Sequence, residues 1–127
     1  SKLVGSSLND VLAGAVEIKG IKVVAARFDQ LDMEGLRNTG DKLKSKIGSG
    51  VVVLAAGYQG KVNFVVMATK DAVEKGIHAG NIIRDVAKIA GGGGGGRPDM
   101  AQAGGRDASK INEALEYSKK VIEGQIG

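Results

Sequence analysis

Six consecutive apolar residues, Val51 to Ala56, constrain the fold more than any other stretch of this chain. A run without polar alternation reads as a strand buried on both faces, so something must cover each side of it. Gly57-Tyr58-Gln59-Gly60 reads as a turn, and residues 61–68 return as the hairpin partner. Upstream, residues 21–28 form a second strand, apolar from Val23 to Ala26. A short strand at 16–19 precedes it, with Gly20 in the tight turn between them. Asp32 is placed to cap a helix over 33–47, whose stripe is Met33, Leu36, Gly40, Leu43 and Ile47. Gly48 ends it. Strand, helix and strand in that order make a right-handed crossover beside an antiparallel hairpin. The expected fold class is therefore α/β: a mixed β-sheet of about four strands with flanking helices, plus an N-terminal helix.

The remaining helices follow from spacing and caps. Val4, Leu8, Val11, Leu12 and Ala15 make one apolar stripe over residues 3–15. This segment reads as the end of a linker or coiled-coil helix, which places the domain proper at 16–127. Its stripe suits packing on the domain or pairing with a second copy. A chain that starts at Ser1 without methionine reads as a fragment or a processed product. Thr69 is a candidate cap for a turn at 70–75 that stops at Gly76, and a longer helix is expected over 80–90. Asp107 caps a last helix at about 108–123, striped by Ala108, Ile111, Leu115 and Ile122.

Between those two helices lie six glycines, Gly91, Gly92, Gly93, Gly94, Gly95 and Gly96, followed by Arg97-Pro98-Asp99-Met100-Ala101-Gln102-Ala103-Gly104-Gly105. An ordered glycine run costs backbone entropy and needs a compensating contact; otherwise it is a flexible linker. Pro98 suits the first position of a short helix over 98–103, with Gly104 as its stop. Such a helix, opened by glycines and flanked by Arg97, would offer free N–H groups to an anion. A P-loop is excluded because no Gly-Lys-Ser/Thr follows. Lys42, Lys44 and Lys46, with Arg37 nearby, lie off the helix stripe, as a solvated face or as a phosphate-facing patch. His78 is the only histidine and there is no cysteine, so no metal site is expected. A cap, core packing or a ligand contact is each open to it.

The balance of 18 Lys+Arg against 14 Asp+Glu gives +4 and favours a polyanionic partner. Only Phe28, Tyr58, Phe64 and Tyr117 are aromatic, too few for a surface that stacks unpaired bases. Recognition of backbone and shape fits better. No catalytic set of Ser/His/Asp or Cys/His type is present, so the chain is not read as an enzyme by itself. No apolar run approaches the roughly 20 residues that span a bilayer, and the lack of cysteine suits a reducing cytosol.

The fifteen residues Gly91–Gly105 resemble the glycine-rich signature of the C-terminal domain of alanyl-tRNA synthetase, a domain type also found beside DHH phosphoesterases. Gly76-Ile77-His78-Ala79-Gly80 and Gly50-Val51-Val52-Val53-Leu54 carry the likeness further, so that it runs over nearly the whole chain. The resemblance implies a cytoplasmic, non-catalytic module that grips the elbow of tRNA(Ala) and couples aminoacylation with editing. Its partners would be that tRNA and the aminoacylation and editing domains. ATP and zinc would belong to those domains, with no cofactor here. The candidate contacts are Gly91–Gly96, Arg97, Asp99, Gln102, Gly104 and Gly105 of the signature, with Lys42, Lys44, Lys46 and His78 added from the residue patterns above. An alternative is the substrate-binding domain of a DHH-family phosphoesterase acting on nucleotides or single strands. A third is a homodimer formed through the N-terminal helix.

Overall fold

The computed structural model describes residues 8–126. Its elements are α1 (Leu8–Ala13), β1 (Val16–Ile18), β2 (Ile21–Asp29), α2 (Met33–Ile47), β3 (Val51–Tyr58) and β4 (Lys61–Ala68). They continue with α3 (Lys70–Glu74), α4 (Ala79–Ile89), β5 (Gly93–Gly96), β6 (Met100–Gly105), a 3-10 turn (Ala108–Lys110) and α5 (Ile111–Gln125). The class is α/β with a mixed sheet, as expected, but the sheet has six strands in the order β1-β2-β3-β4-β6-β5. Only β2 and β3 run parallel; the other neighbours are antiparallel.

β3 sits inside the sheet and feeds two cores. Val51, Val53 and Ala55 face one way, where Phe64 and Val66 of β4 meet Ile82, Ile83 and Val86 of α4 and Ile111 and Ile122 of α5. Val52, Leu54 and Ala56 face the other way, with Val65 and Met67, under Leu36 and Leu43 of α2. The period-2 alternation of a strand therefore demands helices on both sides. Gly40 allows α2 to lie close: a Cβ there would stand 3.1 Å from the Met67 sulfur. Val11, Leu12 and Ala15 pack against the same core as α2. The Val4 end of the N-terminal stripe lies outside the described residues.

The two extra strands correct the sequence reading. Residues 98–103 form no helix; they are the turn and most of β6 in a glycine hairpin. Pro98 presets the turn instead of opening a helix, and Arg97 N–H donates to the Met100 carbonyl across it at 2.9 Å. Ala101, Ala103 and Gly105 are too small to drive a helix stripe, and all three are buried against the α4 side. What forms the strand is the unpaired edge of β4, whose ladder β6 completes from Val62↔Gly105 to Met67↔Met100. Thr69 stands at the cap position of α3, but its side chain bonds none of the helix N–H groups. Its hydroxyl instead donates to Asp71 at 2.6 Å and accepts from the Gly50 N–H at 2.9 Å.

Candidate nucleic-acid interface

The glycine amides do not converge on one point, which corrects the expected anion cradle. Gly91 and Gly92 donate to the carbonyls of Lys88 and Ala87 at the end of α4, at 3.1 and 2.9 Å. In an antiparallel ladder, residues alternate between bonded and non-bonded pairs. The Arg97–Met100 bond sets the phase, so Gly93 and Gly95 bond to β6 while Gly94 and Gly96 point their amides outward at the sheet edge. The N-terminus of α4 is occupied as well. Ala79 and Gly80 N–H donate to the Pro98 and Arg97 carbonyls at 2.8 and 3.1 Å. Asn81 N–H donates to His78 Nδ1 at 3.1 Å.

The hairpin offers a surface of a different kind. Its α4 side is packed: a Cβ on Gly96 would stand 2.7 Å from Ala101 Cα, and one on Gly80 only 2.5 Å from the Gly96 carbonyl oxygen. Its α2 side is open. Gly93 and Gly95 have nothing within 4 Å of a Cβ position, and Gly104 beside Gly93 is exposed. This face carries only two side chains, Met100 and Gln102, both half-buried. The Gln102 Oε1 is buried with no hydrogen-bond partner among the described residues. The result is a nearly flat floor of peptide planes.

Helix α2 forms the wall beside this floor. Lys44 lines a shallow cavity of about 370 Å³ with Ala68, Lys70, Val73, Pro98 and Asp99, at the turn of the hairpin. Arg37 stands on the same line of the helix, seven residues and about two turns back. Lys42 and Lys46 do not join them. Lys42 lies two positions from Lys44, about 200° around the helix, and Lys46 falls near Lys42 on the flank away from the turn. The sequence reading thus grouped three lysines that the helix divides. It did not single out Lys70, which no local pattern connects to the hairpin.

The other expected residues sort in the same way. Arg97 is largely exposed at the hairpin end, with its Nε 3.5 Å from Asp99 Oδ1. Gly91, Gly92 and Gly105 serve the body instead: a Cβ on Gly105 would stand 3.0 Å from Ala90 Cβ. His78 takes the capping role. Its ring caps α4, while its backbone N–H donates to Gln125 Oε1 at 2.9 Å and its carbonyl accepts from Gln125 Nε2 at 3.2 Å. Its place is under the hairpin, not on the open face.

A mixed sheet with α2 on one side, α4 and α5 on the other, and a glycine hairpin on its edge defines the class: the chain belongs to the DHHA1 domain family, which matches residues 20–124. Within that class it is similar to the C-terminal region of alanyl-tRNA synthetases. It is 73% identical over 126 residues to the alanine–tRNA ligase of Acetivibrio thermocellus and 56% identical to that of Alkaliphilus oremlandii. Each match takes in 99% of this chain and 14% of the ligase, so the chain spans about one seventh of these relatives. The solved C-Ala domain of Aquifex aeolicus alanyl-tRNA synthetase is 34% identical, with a TM-score of 0.79, over 87% of this chain and 98% of that one. A phosphodiesterase specific for pGpG shares the fold alone, at 8% identity and a TM-score of 0.59. Among the described residues, no helix is long and apolar enough to cross a membrane.

Proposed function

We propose that this chain is the tRNA-gripping domain of an alanyl-tRNA synthetase. It holds the elbow of tRNA(Ala) and so couples aminoacylation with editing of the mischarged product. The observation that carries this reading is the open face of the glycine hairpin. A floor without side chains at Gly93, Gly95 and Gly104 admits a broad, rigid surface such as a folded RNA corner. Lys44 and Arg37 stand along its wall and Arg97 at its end, placed for phosphates. Gln102 supplies the one side-chain amide on that floor. Holding the elbow raises the local concentration of the acceptor end at both catalytic sites without adding contacts there. The ligase relatives support this over a phosphoesterase, for which only the fold speaks.

Gly95→Leu tests it, because a Cβ there meets nothing within 4 Å while the side chain would stand up from the bare floor. The variant should melt like the wild type and bind tRNA(Ala) at least about tenfold more weakly, a loss of about 1.4 kcal/mol. In a ligase carrying this domain, charging and clearance of mischarged tRNA should fall together. Unchanged binding by a folded Gly95→Leu protein would overturn the proposal.

A further inference from the structure

The hairpin has a second side. Helix α4 runs antiparallel along β5: Gly80 at its start abuts the Gly96 carbonyl, and the Ala87 carbonyl near its end takes the Gly92 N–H. The two spans agree, since seven helical residues rise about 10 Å and four strand residues about 13 Å. Arg84, one turn after Gly80, therefore lies alongside Gly94 at mid-strand. Each further turn rotates about 40° from the core toward solvent, so Gly80, Arg84 and Lys88 descend one flank from buried to exposed. Among the described residues, neither Arg84 nor Lys88 has a carboxylate within ion-pair distance; the ion pairs of the molecule lie elsewhere. Asp85 projects about 100° from Arg84 and about 60° from Lys88. The amides of Gly94 and Gly96 point out of the sheet edge between this flank and the open face.

We infer that Arg84 and Lys88 form a second phosphate-binding wall, so that the glycine strand works as a thin blade between two cationic flanks. The α2 wall of Arg37 and Lys44 meets one stretch of ribose-phosphate backbone, and the α4 wall of Arg84 and Lys88 meets another. Glycine is the residue that keeps the blade thin enough for both. Arg84 is suited to a phosphate at Gly94, since its planar fork and an outward N–H can share the oxygens. This inference rests on the RNA-binding reading and extends it to residues on the other side of the sheet.

The test is the salt dependence of tRNA(Ala) binding by this chain, from about 50 to about 200 mM salt. Each lost phosphate contact lowers the log–log slope by about 0.7–0.9, so the Arg84→Gln/Lys88→Gln protein should lose about 1.4–1.8. Arg84→Lys, which keeps the charge, should hold the wild-type slope while binding more weakly. Lys42→Gln/Lys46→Gln, on the flank of α2 away from the hairpin turn, makes the same change in net charge and should leave the slope unmoved. A double variant with wild-type melting and a wild-type slope overturns the second wall and leaves the open-face reading standing. A wild-type chain with no salt-dependent binding overturns both.

Discussion

At the scale of single residues, six chemically identical glycines have different jobs. Gly96 has backbone and a methyl of β6 at 2.7 Å from any Cβ it might carry, whereas Gly95 has open space. Gly96→Ala should cost about 1–3 kcal/mol through overpacking, and Gly95→Ala should stay within about 0.5 kcal/mol; denaturant midpoints compare them directly. Gly80→Ala is a sharper case. Alanine in a helix normally gains about 1 kcal/mol over glycine, but here the Gly96 carbonyl blocks the methyl, and a net loss is expected. Asp71 accepts hydrogen bonds from the Ser49 and Thr69 hydroxyls, which hold its carboxyl below the usual range. A carboxylate with a lowered folded-state pKa stabilises the fold above its unfolded value, and that gain fades as pH falls through the folded one. Stability should therefore drop from about pH 4 downward, and Asp71→Asn should flatten that part of the curve. An acid titration followed by circular dichroism in which the two proteins coincide would refute the assignment.

Among elements, α4 is the part on which the hairpin depends. Its first N–H groups, unpaired in an isolated helix, are taken by the Arg97 and Pro98 carbonyls and by His78. Gln125 near the end of α5 grips both backbone groups of His78, so α5, α4 and the hairpin turn are joined in series. Gln125→Leu should cost about 1–3 kcal/mol by leaving the His78 N–H unpaired, while the carbonyl keeps the Ile82 N–H at 3.1 Å. Amide exchange should then quicken at Ala79 and Gly80 more than in β3. Helix α2 shows the reverse case, an element whose charges separate. Lys44→Gln should reduce the salt slope of tRNA binding by about 0.7–0.9, while Lys46→Gln should leave it unchanged. Equal effects would mean that the RNA covers both flanks of the helix.

For the whole molecule, the sheet order places every loose edge to some use. β3 and β4 are buried on both faces, β1 is a short edge of three residues, and the glycine hairpin forms the opposite edge. That edge combines a packed two-sided core behind it with almost no side chains on it. A domain so built can approach a large folded partner closely without rearranging. The chain makes up about one seventh of the ligases it resembles.

The amino-acid sequence by itself determined the central strands, helix α2 with its Asp32 and Gly48 caps, the last helix and the family. Each of these is written in local order: apolar runs, 3.6-residue stripes and capping residues speak for the segment that contains them. Only the tertiary structure decided the fate of Gly93–Gly105. Glycine and alanine have no pattern of their own, so this segment became two strands because β4 left an edge unpaired and α4 lay across it. The same holds for the cations. Sequence proximity grouped Lys42 with Lys44, but helix geometry set them apart, and packing laid α4, the helix that carries Arg84, along the glycine strand. Long-range pairing has no local signature, because the partner that satisfies it lies tens of residues away.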